Sequence, residues 1–344
     1  MKSGVYSAEP IFSHQRIAVA PSWHCDARCL HCFLPEDLRD RDGFDPRVVD
    51  MFLDGLPEHV RVIGFTGGEP FLHLDRFFRL LEKVSGAGRV STVITNALWS
   101  QDWSRAAGIL KKAHALGLRG ISISMDEYHR PSLPLPAVVR LLGCARELGL
   151  AVGLQGVGKR ARQAISRAMQ SSDLPKDAGA EGLVNLERVG AGEALKHSDI
   201  PSRELDSCMN AMDPLVTPGG KLYSCCSARL FQISNPILLR GSVMQRSAAE
   251  LLDAASRDYL LAAVVVLGPG GLARLLGIEP NQGATRCEVC LGLLEDRAVL
   301  QELLQRIQGD LNLRKEIVGR HMLLEKCYLS DLYSQLQSKS KGSA

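Results

Sequence analysis

The sequence predicts an α/β fold built on parallel strands, joined to a smaller irregular part and finished by helices. Three observations carry that expectation. Apolar, β-branched runs recur at a spacing of about 30 residues, the length of one strand plus its crossover helix. Patterns of helical period fill the intervals between these runs. Beyond residue 195 or so the rhythm stops, and a turn-rich stretch carries most of the remaining cysteines.

In chain order the strand candidates are Ile17–Ala20, Val60–Phe65, Val90–Thr95, Gly120–Met125, Leu150–Leu154 and Gly182–Leu186. The helical patterns are Pro46–Leu56, Leu74–Val84, Trp103–Leu116, Pro136–Leu148 and Arg160–Met169. Repeated strand–helix units imply right-handed crossovers, in an open sheet or in a full or partial barrel. Either form puts the chemistry at the C-terminal ends of the strands. Cys25, Cys29 and Cys32 follow the first strand, Thr66-Gly67-Gly68-Glu69-Pro70 the second, Asn96 the third and Asp126 the fourth. On the fourth strand Ser122, Ser124 and Asp126 share one face and Ile121, Ile123 and Met125 the other. A polar face on a central strand calls for a bound polar ligand, or for backbone or water to bond its hydroxyls and carboxylate.

The 344-residue chain is long enough for one large domain and a smaller one. A net charge of +3, with both signs interspersed, leaves no footprint for nucleic acid or an anionic membrane. Met1–Pro10 lacks the charged start and apolar run of a secretory signal. The longest apolar stretch, Leu260–Leu267, is far short of the roughly 20 residues that span a bilayer, and Gly268-Pro269-Gly270-Gly271 is expected to break it. A cytoplasmic protein is expected, so its ten cysteines read as metal ligands rather than disulfides.

Three thiolates within the eight residues Cys25–Cys32 can hold one metal or cluster. A structural zinc site wants four ligands, and His24 or His31 could supply the fourth. A 4Fe-4S cluster held by three cysteines leaves one iron open to a cosubstrate. In Thr66–Pro70, glycines let the backbone approach a ligand closely, and Glu69 is an acceptor for an ammonium group. The same residues also suit a plain Gly-Gly turn with a glutamate at a helix N-terminus.

The C-x3-C-x2-C spacing of Cys25, Cys29 and Cys32 after a first strand resembles the signature of the radical S-adenosylmethionine (SAM) superfamily. Gly67-Gly68-Glu69-Pro70 looks like that family's GGEP segment after the second strand. The resemblance covers residues 15–195. It implies a partial (βα)6 TIM-like barrel, a SAM-cleaving 4Fe-4S cluster on the three cysteines, and SAM held by Gly67, Gly68 and Glu69. It adds softer cosubstrate contacts at Asn96 of Thr95-Asn96, at Ser124 and Asp126 on the fourth strand, and at Gln155 on the fifth. In Arg188-Val189-Gly190-Ala191, Ala191 stands where many relatives have arginine, so the resemblance carries no contact there.

The later cysteines form a second group: Cys208, then Gly220-x4-Cys225, then Cys287-Glu288-Val289-Cys290. Four thiolates can close a site completely, and zinc fits that ligand count. The pattern resembles the start of the SPASM or shorter twitch extension of radical SAM enzymes, with fewer cysteines than a full SPASM domain. One auxiliary 4Fe-4S cluster is therefore implied, with Cys226 or Cys327 as substitutes. Cys144 reads as a core or helix-face thiol.

The resemblance implies the following organisation: an N-terminal segment 1–14, a radical SAM core 15–195, an auxiliary-cluster region 196–295 and a helical segment 296–344. It implies reductive cleavage of SAM to methionine and a 5′-deoxyadenosyl radical, which takes a hydrogen atom from the substrate. Tyr128 and His129, just past the fourth strand, are the candidates for moving a proton. The implied substrate is a ribosomally made precursor peptide, oxidised or crosslinked. The alternative is a small metabolite such as an aminocyclitol or a sugar- or nucleotide-derived compound. The implied electron donor is a flavodoxin or ferredoxin. From a different class, a non-catalytic zinc-binding scaffold would keep the same barrel.

Overall fold

The computed structural model describes residues 4–126, 128–129, 134–157, 179–184, 189 and 205–337. The helix expected over Arg160–Met169, and Glu127, Arg188, Gly190 and Ala191, lie outside them. The chain divides into two compact units, one of Met1–Ala18, Asp45–Val60 and His197–Asp331, the other of Val19–Phe44, Arg61–Lys196 and Leu332–Ala344.

The second unit is built on parallel strands. β2 (Val62–Phe65), β3 (Val90–Thr95), β4 (Leu118–Ser124), β5 (Ala151–Val157) and β6 (Gly179–Val184) lie in the order β6-β5-β4-β3-β2. All four neighbouring pairs are parallel. The last residue of β1 (Arg16–Val19) comes next, its Val19 carbonyl accepting the Thr66 N–H at 2.9 Å. This is the unclosed, partial TIM-like barrel that the resemblance implies.

β2 is buried at every position, as a strand covered on both faces must be. The cover of the parallel strands comes from helices whose apolar stripes match the sequence periodicity. α2 (Leu74–Gly86) buries Phe77, Phe78, Leu80, Leu81 and Val84. α3 (Trp103–Ala115) buries Ala106, Ile109, Leu110 and Ala113, and α4 (Leu135–Glu147) buries Val138, Leu141, Leu142 and Ala145. Cys144 sits half-buried on α4, a helix-face thiol.

The first unit holds α1 (Pro46–Asp54), which starts at Pro46 with the Asp45 carboxylate accepting the Arg47 N–H. Here β7 (Leu215–Val216), β8 (Lys221–Tyr223) and β9 (Leu239–Ser242) form an antiparallel ribbon beside Arg16–Ala18 of β1. The helices are α5 (Ala248–Ser256), α6 (Tyr259–Leu275), α7 (Arg286–Leu294), α8 (Arg297–Gly309) and α9 (Leu311–Gln337). No helix among the described residues is long and apolar enough to cross a membrane.

The break expected at Gly268-Pro269 is present: α6 is two helical halves that meet at a non-helical Gly268. Gly268 has φ 64°, and the chain resumes as a helix beyond it. A Cβ at Gly268 would stand 2.0 Å from the Leu205 carbonyl oxygen, so glycine both permits the kink and admits the neighbouring backbone. Pro269 is tolerated because it opens the second half, where its missing N–H costs nothing.

α9 docks on the N-terminal segment through His321, which stacks on Phe12 at 4.5 Å, while Glu325 accepts bonds from the Ser13 N–H and hydroxyl at 3.1 and 3.0 Å. His14 lies edge-on to Phe12 at 4.8 Å, its Nδ1 3.3 Å from the Met212 carbonyl. Burial depresses His14 to about 3 and His321 to about 4, so both imidazoles are neutral in the fold. Their contribution to stability is complete above the unfolded value of about 6.5 and is lost as pH falls from there toward the folded values. The midpoint of thermal unfolding should therefore drop between pH 7.5 and 5. His321→Phe should flatten that drop, removing roughly 2 kcal/mol of pH-dependent stability at pH 5. An unchanged pH profile in that variant would contradict the assignment.

Candidate active site

The site begins in the loop after β1. Gly67 and Gly68 are needed here because the Thr66–Pro70 loop presses against the cysteine loop. The Gly68 N–H donates to the Ser22 carbonyl at 2.9 Å and the Glu69 N–H to the His24 carbonyl at 2.8 Å. A Cβ on Gly68 would lie 2.1 Å from the His24 oxygen, and one on Gly67, at φ 106°, would lie 2.6 Å from the Ser22 oxygen. The glycines thus let two segments of the chain touch, where the sequence alone suggested close approach to a ligand.

Glu69 is 3% exposed, caps the 3-10 turn Pro70–His73 and accepts from the Phe71 N–H at 3.1 Å. It also accepts from the Thr95 hydroxyl and the Asn96 N–H, each at 2.8 Å. Burial pushes its carboxyl up to about 7 against the pull of those three donors. A cation arriving beside it would favour the carboxylate. Asn96 reaches the other way, its Nδ2 3.1 Å from Asp26 Oδ1 and 3.6 Å from Cys25 Sγ. Gly67, Gly68, Glu69, Asn96 and Cys25, read separately from the sequence, therefore meet in one network. A cleft of about 670 Å³ opens beside Asp26 and Glu69, walled in part by Phe71, Trp99 and Arg105.

The polar face of β4 forms a second cluster. Ser122 Oγ is buried without a hydrogen-bond partner, and Ser124 Oγ receives a long 3.4 Å bond from Gln155 Nε2. Asp126, fully buried, accepts the Tyr128 and His129 N–H groups at 2.8 and 3.0 Å. Its Oδ1 lies 2.9 Å from His129 Nδ1, and its Oδ2 lies 3.7 Å from His31 Nε2. Burial pushes the Asp126 carboxyl up, but the His129 contact and the two imidazoles outweigh it and hold the group below the ordinary value. His31 is depressed to about 4, chiefly by burial, and its Nδ1 is buried without a partner. The sequence reading had weighed His31 only as a zinc ligand. Its position between Cys29 and Cys32 was the available signal that it faces the same site. Tyr128 enters through its backbone and through its ring, 4.9 Å from His31.

Cys25 and Cys29 are pushed up to about 12 by burial, and Cys32 is raised for the same reason. Thiols held this high stay protonated unless a metal displaces the proton. The donor set fits a cluster bound by three cysteines, and the orphaned Ser122 Oγ and His31 Nδ1 fit a polar cosubstrate.

In the first unit, Cys208 opens the 3-10 turn Met209–Met212, Cys225 follows β8, and Cys287 and Cys290 share a face of the first turns of α7. Burial raises Cys225 far above the thiol value, and Cys290, Cys208 and Cys287 raise it further. Cys290 is likewise raised beside Cys208 and Cys287. The four cysteines chosen from spacing are thus near neighbours; Cys226 also raises Cys225, and is itself raised by burial and by Asp213. The side chain of Cys327 lies outside the described residues.

Residues 21–155 match the family model described as the Radical SAM superfamily. YydG of Bacillus subtilis (strain 168), named as a peptide biosynthesis protein, is 21% identical over 222 residues, covering 60% of this chain and 68% of YydG. The crystal structure of BtrN in complex with AdoMet and 2-DOIA superposes with a TM-score of 0.50 at 17% identity, over 75% of this chain and 89% of BtrN. Streptococcus suis SuiB bound to precursor peptide SuiA gives a TM-score of 0.44 at 15% identity, over 83% and 76% of the two chains.

Proposed function

Taking residues 21–155 as a radical SAM domain, we propose that this chain oxidises or crosslinks a ribosomally made peptide by hydrogen-atom abstraction. The similarity to YydG carries the substrate class, because its 222 residues extend well beyond the span that matches the family model. In this reading Cys25, Cys29 and Cys32 hold the cleaving 4Fe-4S cluster, and Cys208, Cys225, Cys287 and Cys290 hold one auxiliary 4Fe-4S cluster. When bound and reduced by a flavodoxin or ferredoxin, the first cluster supplies the electron that splits SAM into methionine and a 5′-deoxyadenosyl radical.

The chain's own residues do the rest. Glu69, with spare acceptor capacity, receives the ammonium group of SAM, and Gly67 and Gly68 keep that carboxylate against the cysteine loop. Ser122, Ser124 and Gln155 offer hydroxyl and amide groups to the ribose and carboxylate. The substrate loses one hydrogen atom to the adenosyl carbon. A cluster on Cys208, Cys225, Cys287 and Cys290 would supply an acceptor for the second electron, and the His129–Asp126 pair takes the proton, for a net loss of two hydrogens. Asp126 stabilises the imidazolium as the proton arrives, and His31 stands against the same pair.

The test is anaerobic reconstitution followed by incubation with SAM, a chemical reductant and any short peptide found encoded beside the gene. Expected are roughly eight irons per chain, 5′-deoxyadenosine, and a peptide lighter by two hydrogens. Turnover of an aminocyclitol in place of the peptide would overturn the substrate class. Stoichiometric zinc with no 5′-deoxyadenosine would overturn the enzymatic reading.

A further inference from the structure

The single helical turn Glu36–Arg39 follows the cysteine loop, and its last residue is unusual. Arg39 is only 7% exposed, and its guanidinium Nε is buried without a hydrogen-bond partner. Among the described residues no carboxylate pairs with it. Its backbone carbonyl accepts the Cys25 N–H at 3.1 Å, which fixes the residue against the loop. Its positive charge is felt at Cys32, ahead of that of Arg28, and both oppose the upward push of burial on that thiol. A guanidinium whose Nε is buried without a partner is costly, and a nearby anion would offset that cost. Three thiolates around a 4Fe-4S core supply one, carrying one net negative charge when oxidised and two after reduction.

We propose that Arg39 is the buried counter-charge of the three-cysteine cluster and makes its one-electron reduction easier. The inference rests on the cluster reading above and deepens it by naming a positioning residue outside the signature. The electron comes from the flavodoxin or ferredoxin and enters the cluster. A fixed positive charge close by stabilises the added negative one. Arg28, also near Cys25, cannot do the same work. Its side chain is 58% exposed and paired with Asp40, and water and salt screen it.

The test is a redox titration of the full-length reconstituted chain, following the paramagnetic signal that changes on adding SAM, which marks the cluster with the open iron. Arg39→Met should bind the same iron. Its reduced-to-oxidised ratio at a fixed potential should fall about tenfold, a shift of roughly 59 mV for a one-electron couple. Arg39→Lys should restore most of that ratio, and Arg28→Met should leave it within about twofold of the parent. A loaded Arg39→Met chain with the parent's ratio overturns the inference and leaves the cluster reading standing. So does equal loss of iron from the Met and Lys variants, which would make Arg39 a folding residue. A parent chain that takes up no iron on the first three cysteines overturns the cluster reading itself.

Discussion

Cys29→Ala is expected to bring 5′-deoxyadenosine formation below detection and to lower the iron content from roughly eight to roughly four per chain. Cys29 is the middle thiol of the loop, with Cys25 and Cys32 raising its pKa from either side and Asp126 nearby. Two cysteines cannot retain a cluster that already has one iron unligated by protein, so the loss is all or none rather than graded. The fold should survive, because the contacts that anchor this loop run through other atoms. The Gly68 and Glu69 N–H groups bind the Ser22 and His24 carbonyls, and Cys25 N–H binds Arg39. Circular dichroism of the variant should match the parent. A variant that still cleaves SAM at the parent rate would remove Cys29 from the site.

How much of this was legible beforehand depends on what kind of signal each element leaves. The parallel core was legible because strands and helices in it alternate with a strong periodic pattern, and β3 runs over Val90–Thr95 as read from the sequence. The β7–β9 ribbon was not, because strands of two to four residues are too short to show a period. The break in α6 was legible from Gly268 and Pro269, but its cause was not. Only the close approach of the Leu205–Ser207 backbone makes a glycine at positive φ the residue the kink needs.

Within the site, residue types with few alternative uses stood out. Closely spaced cysteines, and a glutamate behind two glycines, could be named from order alone. The purpose of Gly67 and Gly68 could not, since it depends on the carbonyls of Ser22 and His24, more than forty positions earlier. Arg39 was invisible for a different reason. A charged residue in a polar loop reads as solvated, and only its burial beside Cys25 distinguishes it from Arg28 or Arg41.

The second large effect concerns the later cysteines and separates making the radical from using it. Cys287→Ala should leave 5′-deoxyadenosine formation in place while modified peptide falls by about 100-fold or more. The reason lies in electron count. Hydrogen-atom abstraction takes one electron from the substrate, and net loss of two hydrogens requires a second acceptor. Cys208, Cys225, Cys287 and Cys290 are the grouped thiols that could hold it. Cys287 sits in the first turn of α7, where the Ser227 hydroxyl donates to its sulfur at 3.4 Å. The helix itself is started by the reciprocal bonds of Thr285 and Glu288, which the substitution leaves intact. The variant should therefore fold, bind roughly four irons rather than eight, and consume SAM without yielding product. Cys226→Ala, which alters a thiol outside the four named ligands, should keep the full iron content. If the parent chain instead carries about four irons and one zinc, the second site is structural. The second electron would then have to leave by a route these cysteines do not provide.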